Sequence, residues 1–315
     1  MPDTKSVLLS VMAHPDDETF GMGGTLALYA SRGVEVHVVC ATRGEVGEVD
    51  PEYMQGFNSI AEVRESELRC AAGVLGLAGV HFLGYRDSGM TGSPENQHPQ
   101  SLVAAPLEEV AGRVAHYIRL LRPQVVLTFD PIGGYRHPDH IAIHNATVRA
   151  FEIAGDGTAY QEDLTPFQPQ KLYFQTISRR FLRLALRVLP LFGKDPRKWG
   201  RNGDIDLTSL AVEDFPVHAV INYRPVVEKK TAAALCHASQ GGEAMARGWT
   251  GWLLRMGGSK ESFMRACPPP EPGLREKDLF EGIKYKAVAC WCRKYCLNRN
   301  LLTCDALPKV RRTFN

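Results

Sequence analysis

The stretch Ser6–Glu18, SVLLSVMAHPDDE, joins a short apolar run to a turn that carries one imidazole and three carboxylates. Its first seven residues predict a buried β-strand, because a short apolar run that ends in turn residues is typical of a strand covered on both faces. A second run, Val34–Ala41, is rich in β-branched residues and predicts another strand. Helix-like patterns separate these runs from further apolar runs. The sequence therefore predicts an α/β fold.

The alternation of predicted strands and helices along the chain also predicts the type of sheet. The predicted strands are Ser6–Met12, Val34–Ala41, Val80–Leu83, Gln124–Phe129, Lys171–Ile177 and Phe215–Asn222. The predicted helices are Thr25–Arg32, Ile60–Leu77, Ala105–Leu121, His140–Ile153, Arg179–Leu191 and Glu228–Ser239. Strands joined by right-handed helical crossovers form a Rossmann-like, doubly wound and mainly parallel sheet. Ligands bind such a sheet at the carboxyl ends of its strands.

Composition and charge exclude several classes of protein. The chain has 315 residues, 44% of them hydrophobic, and its 37 Lys and Arg against 35 Asp and Glu leave a net charge of +2. This balance argues against a nucleic-acid-binding protein. No apolar stretch reaches the ~18 residues of a transmembrane helix, and Asp3 and Lys5 lead into the first strand without a signal peptide. We therefore expect a cytoplasmic protein with free thiols.

Two polar motifs follow predicted strands directly and carry the chemistry. Ala13–Glu18 (AHPDDE) follows the first strand, and Asp130–His140 (DPIGGYRHPDH) follows Gln124–Phe129. So many charges at a sheet edge are unfavourable unless something binds there. One imidazole and one carboxylate from the first motif, with an imidazole from the second, suit Zn²⁺ and leave a position for water. A turn with an Asx-type cap is the alternative interpretation of either motif.

The combination of AHPDDE and HPDH resembles the PIG-L/LmbE family of zinc-dependent N-acetylglucosaminyl deacetylases. The resemblance extends from about Ser6 to about Ile283 and is sharpest at His14–Glu18, Tyr85–Met90 and Tyr135–His140. It implies a metal-dependent hydrolase with a small N-acetylated amino sugar or glycoconjugate as substrate. Fe²⁺ or another divalent transition metal could share the ligand set with zinc.

The resemblance also implies roles for residues of both motifs. The implied metal ligands are His14, Asp17 and His140. Asp16 would be the general base, acting on water whose pKa zinc lowers. His137 would be the electrophilic partner or acid, and Asp139 would hold its tautomer and raise its pKa. Tyr135 matches a family tyrosine that helps to stabilise the oxyanion.

Residues outside these motifs are expected to contact the substrate. Tyr85–Met90 (YRDSGM) resembles the thiol-cofactor branch of the family, in which the aspartate, here Asp87, grips sugar hydroxyls; a capping turn is the alternative. Arg64 matches a family arginine that reaches the sugar, whereas its pattern alone predicts a helix salt bridge. His237 begins an H-x-S-Q sequence and either shapes the site or caps a helix. The remaining predicted contacts are Met90, Thr19 and Phe20.

The resemblance divides the chain into a deacetylase domain, 1–283, and a C-terminal extension, 284–315. The domain comprises a catalytic half, 1–177, and a substrate-shaping part, 178–283. The extension holds eight Lys and Arg against one acid, with four of the eight cysteines at Cys290, Cys292, Cys296 and Cys304. We predict a basic, Cys-rich tail outside the fold, with a second zinc site as the alternative.

The predicted function is zinc-dependent deacetylation of an N-acetylglucosamine-type sugar, without a nucleic-acid partner and compatible with a homo-oligomer. Amide cleavage of a thiol-cofactor conjugate is the near alternative. Gly21–Gly24 gives weak support to a nucleotide-binding module, because it does not match G-x-G-x-x-G and follows a charged turn. A metal- or sugar-binding protein without catalysis is the third hypothesis, and Asp16 argues against it because a pure binding site needs no base.

Overall fold

The strand Val7–Met12 (β1) lies inside the sheet of the computed structural model, with all six residues buried. Its neighbours are β2 (Glu35–Cys40) and β4 (Val125–Phe129), and both run parallel to it. β1 and β4 are covered on both faces, which explains their continuous apolar character. The structure describes residues 5–159, 163–176, 186–193, 195–198, 206–210, 215–247 and 259–284. The elements below lie in the unit Lys5–Glu281.

Seven strands form one sheet within these described ranges, in the order β3-β2-β1-β4-β5-β7-β6. The remaining strands are β3 (Gly79–Phe82), β5 (Lys171–Thr176), β6 (Ala219–Asn222) and β7 (Lys260–Cys267). The strands β1 to β5 are parallel, whereas β7 runs antiparallel to β5 and β6. The chain builds β1, β2 and β3 toward one edge and then places β4 on the other side of β1. The crevice of the fold therefore lies at the carboxyl ends of β1 and β4.

The longer helices pack in two groups. The helices of the described ranges are α1 (Asp17–Ser31), α2 (Ile60–Leu75), α3 (Leu107–Leu121), α4 (Gly133–Arg136), α5 (Pro138–Ile153), α6 (Leu207–Leu210), α7 (Val227–Cys236) and α8 (Gly242–Arg247). Short 3₁₀ turns occur at Pro51–Met54, Pro94–Gln97, Leu189–Phe192, Arg224–Val226 and Ala238–Gln240. α1 and α2 contact each other and α7, whereas α3 contacts α5. This grouping agrees with helices on both faces of a doubly wound sheet.

The helix α1 begins at Asp17, inside the AHPDDE motif and well before Thr25. An acid in the first turn interacts favourably with the helix dipole. The helix bends at Met22, where φ is −138°. Beyond the bend, the Glu261 carboxylate accepts hydrogen bonds from the backbone N–H groups of Gly24 and Thr25 at 3.1 and 2.6 Å. A side chain from β7 thus caps the second part of the helix.

The strand β7 is an element that the sequence pattern does not predict. Its inward positions include Glu261 as well as Phe263, and both are buried. A charged residue at an inward position breaks the apolar alternation that identifies strands. The prediction of an α/β, doubly wound and mainly parallel sheet is confirmed, and antiparallel β7 and β6 extend it.

Two predictions fall partly or wholly outside the described residues. Of the predicted helix Arg179–Leu191, residues 179–185 lie outside them, and Leu189 begins a 3₁₀ turn. Beyond Lys284, the predicted Cys-rich tail lies outside them as well. In the part of the chain that the structure describes, no helix is both long and apolar enough to cross a bilayer.

A disulfide joins Cys70 of α2 to Cys236 at the end of α7, with their Cα atoms 5.8 Å apart. The expectation of free thiols is therefore wrong for this pair. The two cysteines are 166 positions apart, so their pairing depends on the packing of α2 against α7 and not on sequence spacing. Cys40 and Cys267 are free.

Candidate active site

The two polar motifs meet at the carboxyl ends of β1 and β4, where the strand order reverses. His14 lies just beyond β1, and Asp17 begins α1. His140 lies in the first turn of α5, which begins at Pro138. Proline suits this position because its φ is already helical and its missing N–H would have no partner in the helix. Local strand and helix ends thus bring distant parts of the sequence together.

The three side chains implied as metal ligands lie close together. His14 Nδ1 is 3.3 Å from His140 Nε2 and 3.5 Å from Asp17 Oδ2. The other Asp17 oxygen, Oδ1, is 3.2 Å from His140 Nε2. Ligands that lie about 2.0–2.2 Å from a tetrahedral zinc ion are about 3.3–3.6 Å from one another. The two imidazole nitrogens therefore have the spacing of two ligands of such an ion, and each has an Asp17 oxygen at a similar distance, so the set fits a divalent metal ion.

The ring of His140 is held in the orientation that this set requires. Its Nδ1 lies 3.2 Å from the carbonyl oxygen of Gly133, which can only accept a hydrogen bond. Nδ1 therefore carries a proton, and Nε2, which faces Asp17, is the nitrogen that can bind a metal ion. Phe129 stacks on the ring at 3.9 Å between centroids. Gly133 has φ +65°, and a Cβ there would lie 2.8 Å from His140 Cβ, so the turn requires glycine.

Carboxylates surround His14 on its other side. Asp139 Oδ2 and Asp87 Oδ1 lie 3.1 and 3.4 Å from its Nε2. Burial acts to lower the pKa of His14, but Asp87, Asp139 and Asp17 outweigh it and hold that pKa well above its usual value. Asp139 Oδ1 is buried and has no hydrogen-bond partner among the described residues. The site therefore stabilises a positive charge at its centre.

Asp17 is suited to metal binding by its ionisation. Burial acts to raise its pKa, but His140 and His14 outweigh this effect and keep the pKa of Asp17 well below its usual value. A ligand carboxylate must be deprotonated. Asp17 is therefore already deprotonated and can bind a cation without first losing a proton.

His137 belongs to the same cluster, with its ring centroid 4.6 Å from that of His14. Ring nitrogens of His14, His137 and His140 lie within 4.8 Å of one another, so three imidazoles form a second possible ligand set. The backbone N–H of Asp139 donates to His137 Nδ1 at 3.2 Å, whereas the Asp139 carboxylate accepts from the Ser88 N–H at 2.9 Å. The structure thus differs from the implied pairing, because that carboxylate contacts His14 and not His137.

The pKa of His137 also differs from the implied rise. Burial, with the nearby imidazoles of His14 and His140, lowers it to about 2. The ring is therefore neutral at physiological pH. With Nδ1 accepting from a backbone N–H, its proton lies on Nε2.

Asp16 lies beside the ligands in an unusual backbone conformation. Its φ is 128°, a value that residues with a side chain rarely adopt. Arg64 Nη2 donates to Asp16 Oδ2 at 3.0 Å and to the Pro15 carbonyl at 2.7 Å. Burial raises the pKa of Asp16 to about 6, with Arg64 acting against the rise and Asp17 adding to it. A carboxyl that titrates near neutral pH is suited to general-base catalysis.

Tyr135 lies in the irregular helix α4, in which Gly134 and Tyr135 itself have non-helical dihedral angles. Its ring centroid is 4.9 Å from that of His140 and 5.9 Å from that of His137. The phenol therefore borders the cluster, next to the two imidazoles of the second motif.

Asp87 and Arg64, both predicted to contact the substrate, use most of their polar atoms in hydrogen bonds within the protein. Asp87 is buried, and its Oδ1 and Oδ2 accept from the N–H groups of Gly89 and Val46 at 2.8 and 3.3 Å. The Arg64 guanidinium donates to the Gly44 carbonyl at 3.1 Å as well as to Asp16. A side chain at Gly44 would collide with it. Arg64 is thus enclosed beneath the loop after β2.

The other predicted contacts lie on α1 and on two loops. Thr19 and Phe20 are in the first part of α1, and Met90 is in the loop after β3. Thr19 is fully buried, and its hydroxyl donates to Glu18. Phe20 packs edge-on against His237, with ring centroids 5.7 Å apart. His237 is fully buried with its Nε2 2.9 Å from Glu18 Oε1.

Sequence reasoning assigned no role to Glu18, although the structure places it at the centre of these contacts. Its carboxylate is fully buried and accepts from the Asp16 N–H at 3.0 Å. The sequence contains one signal for it: the AHPDDE motif has three acids, although a metal ligand and a general base account for only two of them.

Residues 9–151, which contain both motifs, match the family PIG-L, described as GlcNAc-PI de-N-acetylase. A 1D-myo-inositol 2-acetamido-2-deoxy-alpha-D-glucopyranoside deacetylase of Rhodococcus erythropolis is 38% identical over 296 residues, which are 88% of this chain and 97% of the relative. The chain belongs to the PIG-L family. An enzyme of the same name from Kineococcus radiotolerans is 41% identical over 251 residues, covering 74% of this chain and 68% of that enzyme. The predicted family and deacetylase activity are confirmed, and PIG-L deacetylases are metal-dependent.

The fold of this PIG-L protein also occurs in an enzyme of another class. The 4-carboxy-2-hydroxymuconate hydratase from Pseudomonas putida KT2440 matches it with a TM-score of 0.59 and 22% sequence identity, covering 85% of this chain and 99% of the hydratase. At this identity the similarity shows the fold alone. The residues of the site and the relatives in sequence, not the fold, therefore carry the assignment of activity.

Proposed function

We propose that this PIG-L enzyme removes the acetyl group from an N-acetylglucosaminyl inositol and uses zinc to do so. Both relatives above are named for such a substrate, and the chain aligns with nearly the whole length of one of them. The observation that carries the proposal is the convergence of His14, Asp17 and His140, with the Asp16 carboxyl beside them.

His14, Asp17 and His140 would hold the metal ion, which supplies a Lewis acid and lowers the pKa of water. Asp17 is already ionised, and His140 already presents the nitrogen that it needs. The further carboxylates near His14, those of Asp87 and Asp139, offset the charge of a divalent cation. Three protein ligands would leave a position on the ion for water or substrate.

Asp16 takes the proton of the water that attacks the acetamide carbon. Its pKa of about 6 keeps most of the carboxyl ionised at neutral pH and still allows it to hold a proton once it has one. Arg64 fixes Oδ2, which leaves Oδ1 to accept that proton. The same carboxyl then donates the proton to the departing amine.

His137 acts as a neutral hydrogen-bond donor to the oxyanion that develops on the acetyl group. Its low pKa keeps the ring neutral, and because Nδ1 accepts from a backbone N–H, the one ring proton is on Nε2 and available to donate. A donor of this kind stabilises developing negative charge in a buried site. Tyr135, beside the same imidazoles, supplies a second donor.

The remaining predicted residues shape the sugar pocket. Asp87 accepts the sugar hydroxyls, because a carboxylate has lone pairs beyond those that the backbone N–H groups use. Phe20 and Met90 border the pocket, whereas Thr19 is fully buried and its hydroxyl donates to Glu18. Arg64 and His237 are buried and hydrogen-bonded to Asp16 and Glu18, so they act on the site by holding the motif in place.

An amine-release assay tests the proposed function. The substrates are N-acetylglucosaminyl inositol, N-acetylglucosamine, diacetylchitobiose and the amide of a thiol-cofactor conjugate. Each is measured with chelated protein and with protein restored with Zn²⁺, Fe²⁺ or Co²⁺. We expect zinc-restored protein to deacetylate the inositol glycoside fastest and chelated protein to be inactive.

Each other outcome has a definite meaning. Preferred cleavage of the thiol conjugate would favour the amidase alternative. Higher activity with Fe²⁺ than with Zn²⁺ would identify Fe²⁺ as the resident metal. Failure of all the acetamides with every metal would contradict the proposal.

A further inference from the structure

Glu18 has both of its carboxylate oxygens in use. Oε2 accepts a hydrogen bond from the backbone N–H of Asp16 at 3.0 Å. Oε1 lies 2.9 Å from His237 Nε2 and accepts from the Thr19 hydroxyl. Glu18 and His237 are both fully buried. A carboxylate buried this deeply needs such partners, because an unpaired one is strongly unfavourable.

The backbone of Asp16 needs to be held from several sides. A φ of 128° persists in a residue with a side chain only where the surroundings fix it. The Asp16 carbonyl accepts from the N–H groups of Thr19 and Phe20 at 3.0 and 2.9 Å, and Arg64 holds its side chain. Glu18 supplies the contact to its N–H group.

His237 connects this contact to α2. The preceding residue, Cys236, is joined to Cys70 of α2 by the disulfide. Ser239, in the turn that follows, donates from its N–H and its hydroxyl to the Glu67 carboxylate, both at 2.7 Å. The segment that carries the imidazole is thus attached to α2 on both sides of His237.

We propose that Glu18 is a positioning residue of the deacetylase: its carboxylate, oriented by His237, fixes the backbone of Asp16 and so directs the Asp16 carboxyl. The inference rests on the assignment of Asp16 as the base in the proposed function. A base displaced by about 1 Å can lose about 100-fold in rate. Because both side chains are buried away from solvent, the loss falls on turnover and not on substrate binding.

Substitution at both ends of the contact tests this role. Glu18→Ala removes the contacts to the Asp16 N–H, to His237 and to the Thr19 hydroxyl, and we expect kcat to fall about 10- to 100-fold with KM and bound metal per chain unchanged. Glu18→Gln keeps an oxygen for the Asp16 N–H and should retain most of kcat. The double variant Glu18→Ala, His237→Ala should lose little more than Glu18→Ala alone, because both changes remove the same restraint. Loss that appears in KM or in metal content, or that adds fully in the double variant, would overturn the proposal.

Glu67→Ala is the matched control. Glu67 is also a buried carboxylate, but no contact joins it to the Asp16 backbone among the described residues, and without it the Cys70–Cys236 disulfide still attaches the segment that carries His237 to α2. We expect it to lower the melting temperature and to leave kcat within about twofold of wild type. If Glu67→Ala lowers kcat as much as Glu18→Ala does, the effect of Glu18 is merely structural and the proposal is wrong.

Amide hydrogen exchange tests the contact without relying on activity. In the full-length protein, the Asp16 amide should exchange at least about tenfold faster in Glu18→Ala than in wild type, with the β1 amides unchanged. Unchanged protection of Asp16 would overturn the proposal. If the exchange result holds but wild-type protein releases no amine from any acetamide, the contact stands and the deacetylase assignment fails.

Discussion

The first turn of α1 and its bend at Met22 both hold buried charge, but they balance it differently. At the bend, Glu261 Oε1 lies 2.6 Å from Lys230 Nζ, and the same carboxylate accepts from the N–H groups of Gly24 and Thr25. One carboxylate thus meets one ammonium group and two backbone donors. The charges of Glu261 and Lys230 therefore balance each other, and the Glu261 carboxylate caps the second part of the helix.

The first turn has an excess of negative charge. Four acids from the first motif and from neighbouring elements lie within ion-pair distance of His14, His140 or Arg64. They are Asp16, Asp17, Asp87 and Asp139. Arg64 contributes one guanidinium, through Asp16. Buried carboxylates in such excess are unfavourable unless a cation joins them. The cluster at the bend is thus balanced by its own residues, whereas the four carboxylates around the first turn outnumber its cationic groups, Arg64 and a protonated His14, and a divalent cation would balance them.

The largest effect is expected from His14→Ala. The variant loses a ligand and the centre of the carboxylate cluster, so metal affinity should fall by more than about 100-fold and deacetylation should be undetectable. Elemental analysis of dialysed protein measures the metal per chain. Glu261→Gln is the control and should keep its metal. Full metal content in His14→Ala would break the distinction between the two clusters.

Asp16→Ala and His137→Ala should separate chemistry from metal binding within the first cluster. Loss of a general base or an oxyanion donor typically lowers turnover about 10²- to 10⁴-fold, and we expect kcat to fall in this range with metal content as in wild type. Steady-state kinetics with elemental analysis measure both. Equal loss of metal in these variants and in His14→Ala would assign His137 to the ligand set and contradict the division of roles.

Glu261→Gln should act on stability alone. It leaves the partly buried Lys230 ammonium without its counter-charge, and loss of one partner of a buried pair typically costs about 3–5 kcal/mol of unfolding free energy. Chemical denaturation measures the loss, and kcat and metal content of the folded protein should stay near wild type. The double variant with Lys230→Met should recover part of the loss, because the unpaired charge is gone. A metal defect in Glu261→Gln would show that the two clusters are not independent.

A smaller effect is expected from Cys70→Ser, which opens the link between α2 and α7. A disulfide typically contributes about 2–4 kcal/mol to the free energy of unfolding. Denaturation of the variant and of reduced wild-type protein should give the same loss. The cytoplasmic location stays a prediction. Disulfides are rare in the cytoplasm, so alkylation and mass spectrometry of protein taken from cells, which show whether Cys70 and Cys236 are paired, test that location. Equal stability of the variant and the oxidised protein would contradict the expected link.

The sequence was sufficient for the parts of the site that depend on local pattern. Apolar runs that end in AHPDDE and DPIGGYRHPDH identify β1, β4 and the edge at which their motifs meet, because parallel strands place their carboxyl ends together. The ligand spacing of His14, Asp17 and His140 follows from this edge and from the start of α5 at Pro138.

Other features depend on contacts between distant segments and could not be predicted. The strand β7 carries a buried Glu261 whose purpose is visible only beside α1. The Asp139 carboxylate turns toward His14 because the Ser88 N–H holds it there. Arg64 is enclosed because Gly44 leaves room for its guanidinium. In each case the deciding partner lies on another element, and no spacing within the motif encodes it.

Anomalous diffraction from crystals grown with zinc, measured on both sides of the zinc absorption edge, shows whether the loops after β1 and β4 share one cation. We expect one strong peak per chain, within about 2.0–2.2 Å of His14, Asp17 and His140. A peak bound by other residues, or none between these loops in protein that deacetylates its substrate, would contradict the account.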